Sequence, residues 1–209
     1  MIKKIEFFLL IFLVLFFINK IILGDVNVPR PLSQEEQREK ALGIERSNRD
    51  SKPILRQNFI KNIELGNIEN IQTYIEGDKT SLNFVTINGI NPFVHAANLN
   101  NLQIIKLFLE TTNVDINIED QFGNTGLIKA AEKGHIEIVV YLINNGADIN
   151  YQNNVGMTAI MKSAEKNHFY VLKTLLENNA DIEKSDFTGR TLREIAENSR
   201  DKRIFKLLN

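Results

Sequence analysis

The sequence predicts an all-α solenoid of stacked helix-turn-helix units joined by short finger turns. Glycines recur at Gly89, Gly123, Gly156 and Gly189, in steps of 34, 33 and 33 residues, and a fixed period of this length marks one supersecondary unit copied along the chain. Each copy holds two short stretches with apolar residues at helical spacing. Cap and breaker residues bracket those stretches. In the copy at 123–150, Thr125 is placed to cap a first helix, Gly134 and His135 break it, and Gly146 suits a left-handed close to a second helix over 136–144. Leu127, Ala130 and Ala131 give the first helix one apolar face. Ile136, Val139, Val140 and Ile143 give the second its stripe, which Ile138 and Leu142 widen.

Composition narrows the function classes. With 209 residues, 43% hydrophobic content and a formal charge of -1, the chain can bury a sizeable core as one or two units and carries no excess of positive charge for nucleic acid. It has no cysteine, which removes disulfides, thiolate catalysis, Cys-based zinc sites and lipoprotein acylation. Heavy use of Asn, Ile and Lys is the mark of an AT-rich genome.

Taken in order, the chain opens with Lys3 and Lys4, an unbroken apolar run over 7–18, a second short run over 21–23, and Gly24. That order is the pattern of a secretory signal, with cleavage after Gly24 or, alternatively, retention of 7–23 as a membrane anchor. Residues 25–53 hold three of the four prolines and many charges, so they read as a polar linker. Ser33 and Glu36 could form a capping box within it. A degenerate copy over 54–87 lacks the glycine opening yet keeps a helix pair, with Phe59, Ile60 and Ile63 before Gly66 and Ile68, Ile71, Tyr74 and Ile75 after it. It reads as an N-terminal cap repeat. Full repeats follow at 88–121, 122–154 and 155–187. Pro92 suits the first turn of its helix, and the one extra residue of the first full repeat falls near 111–113. A polar C-terminal cap over 188–209 has Arg193 and Glu194 at otherwise apolar positions, as an end unit with one open face requires.

The residues Gly123, Thr125, Leu127, Ala130, Ala131, Gly134, His135, Gly146, Ala147, Asp148 and Asn150 resemble the ankyrin repeat, whose pattern runs G-x-T-P-L-H-x-A-A-x-x-G-H, then a second helix, then G-A-D-x-N. The match covers 54–209, about three quarters of the chain. Two departures stand out. The motif's proline becomes Gly126 and Ala159, and its first histidine becomes Val94, Ile128 and Met161, so apolar packing is expected where the family ties repeats with hydroxyl–imidazole bonds. With residues 3–24 read as an export signal, resemblance and composition imply a small exported bacterial protein, periplasmic or secreted or, alternatively, membrane-anchored, acting as a monomer.

No group of residues converges on a reaction. His135 and His168 fill one slot in successive copies, and repeats in this family stand about 10 Å apart, a usual helix spacing, which is too far for one metal ion. They read as loop-bonding structural residues. His95 has no acidic or cysteine partner at ligand spacing in the sequence. Asp115, Asp148 and Asp181 also repeat, and a residue needed in every copy is structural. No enzyme, cofactor or metal is therefore expected. The fold that the resemblance implies projects the turn before each first helix as a finger and lines a concave face with the first helices. On this view the partner-binding residues are Ile87 and Ile90, then Gln121, Phe122 and Asn124, then Asn154, Val155 and Met157, then Phe187 and Arg190. Every finger carries an apolar side chain, and a row of exposed apolar groups calls for a protein partner. The competing reading is that neighbouring fingers cover each other. On the groove, Glu132-Lys133 and Glu165-Lys166 leave no net field.

Overall fold

The structure, a computed structural model, describes residues 51–77 and 82–208. The expected signal or anchor at 1–24 and the linker up to residue 50 lie outside the described residues. Among the described residues no helix is long and apolar enough to cross a membrane.

Ten helices form five consecutive pairs among the described residues: α1 (Ser51–Leu65) with α2 (Ile68–Gly77), α3 (Pro92–Asn98) with α4 (Leu102–Thr111), α5 (Gly126–Lys133) with α6 (Ile136–Asn144), α7 (Ala159–Glu165) with α8 (Phe169–Glu177), and α9 (Leu192–Glu197) with α10 (Lys202–Leu207). The first helices α1, α3, α5, α7 and α9 stack in one layer, each touching the next, and α6, α8 and α10 stack behind them. This is the all-α solenoid expected. Small buried residues set the close approach of the first layer: Ala96 and Ala97 in α3, Ala130 and Ala131 in α5, Ser163 and Ala164 in α7.

Local chemistry fixes each helix start. Oγ1 of Thr125, Thr158 and Thr191 accepts from the backbone N–H of Ile128, Met161 and Glu194, and Thr191 with Glu194 completes a capping box. In α3, Asn91 takes this role, accepting from Phe93 and Val94 N–H while its amide donates to the carbonyls of Leu82 and Phe84. Val94, Ile128 and Met161 are all buried, so the slots that lost histidine are filled by apolar packing. At Gly126, an added Cβ would meet the Phe93 ring at 3.1 Å. The large ring of one repeat thus accounts for the small residue of the next.

Two details differ from the sequence expectation. The buried stripe of α6 is Ile138, Val139 and Leu142, whereas Ile136 and Val140 are exposed, because α6 packs into the array on the flank that Ile138 and Leu142 define. And α1 begins at Ser51, so it runs past the expected start of the cap at residue 54. The extra residue of the first full repeat lengthens α4 to 10 residues against 9 in α6.

The two ends are closed differently. At the N-terminal end Phe59 stacks on Tyr74 with centroids 4.1 Å apart and lies 6.0 Å from Phe108, and the Arg56 guanidinium sits over Phe84 at 4.6 Å. At the C-terminal end the closure is polar. Asn167 Oδ1 accepts from Ser199 Oγ, Arg200 N and Asp201 N at 2.7, 2.7 and 3.1 Å, and Arg203 covers the Phe169 ring at 4.5 Å.

Candidate protein-binding surface

The four fingers share one construction. A turn begins at Thr86, Asp120, Asn153 or Asp186 and closes on a glycine three residues later, with N–H to carbonyl bonds of 2.8, 3.0, 2.8 and 2.9 Å. The side-chain oxygen at the turn's first residue organises the rest. Oδ1 of Asp120 accepts from Phe122 and Asn124 N–H, Oδ1 of Asn153 from Val155 and Met157, and Oδ1 of Asp186 from Thr188 and Arg190. Such a ring of bonds locks a loop that would otherwise sample many conformations. Asp186 is buried, which disfavours its charge. Its bonds to Thr188 and Arg190 outweigh that effect and hold the carboxyl at about 2. None of these turn-opening residues was singled out in the sequence, although an acidic or amide residue three positions before each of the last three glycines is a turn signal.

Neighbouring fingers are tied backbone to backbone. Gln121 N–H donates to Gly89 O, Asn154 N–H to Phe122 O, and Phe187 N–H to Val155 O, at 3.4, 3.1 and 3.1 Å. The first residue after each turn opening lies over the glycine of the finger before it. A Cβ on Gly89 would strike the Gln121 side chain at 1.8 Å, and one on Gly156 would strike Phe187 N at 2.5 Å. Only glycine fits there, as the positive φ of 75° and 80° also requires.

This geometry sorts the residues expected to bind a partner. Ile87, Gln121, Phe122, Asn154, Val155, Phe187 and Arg190 are exposed. The apolar ones are strongly so: Ile87 88%, Phe122 60%, Val155 56% and Phe187 70%. Three others point inward, which corrects the expectation. Met157 and Asn124 are buried, and Ile90 is half-buried against the core. They share one position, directly after the turn glycine, where the chain leads back toward the first helix; Arg190 holds that position in the last finger and stays exposed, its guanidinium bonded to Asp186. Asn124 is a structural group there, donating to both Asp120 oxygens and accepting from Asn153 Nδ2 at 2.8 Å. Fingers therefore cover each other's backbones but leave the apolar tips bare.

The first helices present a ladder of charges beside the fingers. Lys61 pairs with Glu64, Lys129 with Glu132 and Lys162 with Glu165, at 3.2, 2.9 and 3.2 Å. Burial opposes the charge of Glu132, yet Lys129, Lys162 and Lys133 hold its carboxyl below the usual range. The first full repeat breaks the ladder with His95 and Asn98. His95 does find an acidic neighbour, which its sequence context had not shown: Glu64 Oε1 of α1 stands 3.5 Å from its Nε2. A cleft of about 240 Å³ opens between α1 and the first finger, walled by Ile60, Val85, Ile87 and Arg56.

The other expected structural residues are structural. His135 and His168 reach back to the preceding repeat, with Nε2 at 3.1 and 3.0 Å from the carbonyls of Asn98 and Glu132. Oδ1 of Asp115, Asp148 and Asp181 accepts from the N–H two residues on, while Asn117 and Asn150 link these loops from one repeat to the next. Among the described residues no three potential ligands gather to hold a metal.

Repeats that interlock in this way, with exposed apolar tips beside a stacked layer of helices, define a repeat scaffold. The family model for ankyrin repeats in three copies matches residues 60–153, 93–186 and 141–208, and the chain belongs to the ankyrin-repeat family. It is similar to the rat ankyrin repeat and SAM domain-containing protein 6, 33% identical over 86 residues, which are 41% of this chain and 10% of that protein. It is also similar to mouse and human protein phosphatase 1 regulatory subunit 27, each 31% identical over 111 residues, 53% of this chain and 70% of theirs. The alignment thus spans about a tenth of the SAM-domain protein. Ankyrin repeats serve as protein-binding modules.

Proposed function

We propose that this chain is an exported ankyrin module that binds a protein partner through its finger tips and concave face, with no chemical turnover. The observation that carries the reading is the exposed row of Ile87, Phe122, Val155 and Phe187, one apolar side chain per finger on a backbone that hydrogen bonds hold rigid. Exposed aromatic groups on a rigid frame favour binding, since little conformational freedom is lost on contact. Relatives named as a regulatory subunit of a phosphatase and as a SAM-domain protein are in keeping with a scaffold role. Export rests on the cationic and apolar order of residues 3–24.

Capture of partners by the immobilised protein, compared with a Phe122→Ala and Phe187→Ala double variant, tests the binding surface. Recovery should fall sharply while stability changes by less than about 1 kcal/mol, as for surface substitutions. Equal recovery by both proteins sinks the assignment of the fingers. N-terminal sequencing of the mature protein tests export separately: a start at Asp25 supports a released form, and a retained Met1 supports a tethered one.

A further inference from the structure

We propose that the seam between α1 and α3 is acid-sensitive, so that protonation of His95 loosens the N-terminal cap repeat while the central repeats stay packed. This goes beyond partner binding and does not depend on it.

The seam is built unlike the others. At positions 61, 129 and 162 of the first-helix layer a lysine pairs with a glutamate three residues on. At 95 and 98 the corresponding residues are His95 and Asn98, so α3 supplies no anion of its own. The imidazole instead turns across the seam toward α1. Its side chain is only 16% exposed, and Nε2 is a buried atom without a formed hydrogen bond. The 3.5 Å to Glu64 Oε1 is longer than a good N–H···O bond.

Every packed element contributes to what a proton on His95 would meet. Glu64 on α1 is already engaged by Lys61 at 3.2 Å. Lys129 of α5 and Asp120 of the second finger share a cleft with His95, but Lys129 is committed to Glu132 and Asp120 to the turn and Asn124. Helix α4 buries only apolar groups, Ile104, Ile105 and Phe108. A protonated imidazole would therefore add a cation to a buried seam whose nearby carboxylates, Glu64 and Asp120, already have partners. Burial accordingly pushes His95 below the ordinary histidine value, with Glu64 opposing more weakly.

The sign follows. In the unfolded chain His95 takes up its proton near pH 6.5, whereas the folded seam resists it. The seam is at full strength above about pH 6.5 and weakens as pH falls through the depressed value. Loss is confined to the cap because repeats contact only their neighbours.

Hydrogen exchange of the full-length protein at pH 7.5 and 5.5, corrected for intrinsic rates, tests this. Peptides from α1 should lose protection at pH 5.5 beyond the intrinsic-rate correction, while α5 to α8 hold theirs. His95→Gln, which keeps a polar group without titrating, should abolish the difference. Glu64→Gln, which removes the opposing carboxylate, should enlarge it. The proposal is overturned if α1 protection is the same at both pH values, if the central helices lose protection equally, if the acid response survives in His95→Gln, or if it is unchanged in Glu64→Gln.

Discussion

At the scale of single residues, the chain shows how much of a finger depends on one carboxylate. Asp186 is buried and bonds Thr188 and Arg190 through backbone and side chain. Its carboxyl is held at about 2 in the fold against about 3.9 in an unfolded chain, so its contribution is present above pH 4 and is lost between about pH 4 and 2. Asp186→Asn should flatten the acid limb of a stability–pH curve in that window. It should leave the turn formed, because Asn153 does the same work in the preceding finger. A curve with an unchanged acid limb would show that another carboxylate governs it. Leu142, fully buried in α6, tests the core instead. Leu142→Ala should lower the unfolding free energy measured in urea by about 2–5 kcal/mol, through lost burial and a residual cavity.

At the scale of elements, two turn glycines with similar backbones have different neighbours. Gly156 and Gly189 both hold a positive φ, 80° and 87°, yet a Cβ at Gly156 meets Phe187 N at 2.5 Å and a Cβ at Gly189 meets nothing within 4 Å. Alanine at Gly189 should cost only the left-handed backbone, about 1–2 kcal/mol. Alanine at Gly156 should cost clearly more, since it forces apart two fingers joined by the Phe187 to Val155 bond. Equal losses in thermal melts of the two variants would mean that the fingers yield freely. Much at this scale was legible in the sequence. Helix pairs, threonine caps and structural histidines follow from local spacing. What it did not disclose was orientation: Ile90, Asn124 and Met157 were expected at the tips and are drawn inward. The reason is that the chain turns back toward the first helix one residue past the left-handed glycine, a change of direction that apolar content alone does not encode and that leaves only Arg190 of the last finger exposed. The His95–Glu64 contact was also hidden, because it joins residues 31 apart.

For the whole molecule, stability is a sum over neighbours. The N-terminal cap is held by the Phe59 cluster with Tyr74, Phe84 and Phe108. Phe59→Ala should destabilise that end by about 3–5 kcal/mol, and in an array with only nearest-neighbour contacts the loss should appear as an early transition of 51–111 ahead of the remainder. A single cooperative transition shifted as one would show that the array is more tightly coupled than its contacts imply. The finger double variant belongs to this scale too, for it asks whether a row of tips acts as one surface.

The fingers divide labour between two adjacent residues. Gln121 and Asn154 are locked over a neighbour's glycine, while Phe122 and Val155 beside them extend into solvent. In the last finger the two tasks fall on one residue, for Phe187 lies over Gly156 and is also the exposed tip. A lineage, or a laboratory library randomised at positions 122 and 155, can therefore vary these tips without first repairing the joins between fingers.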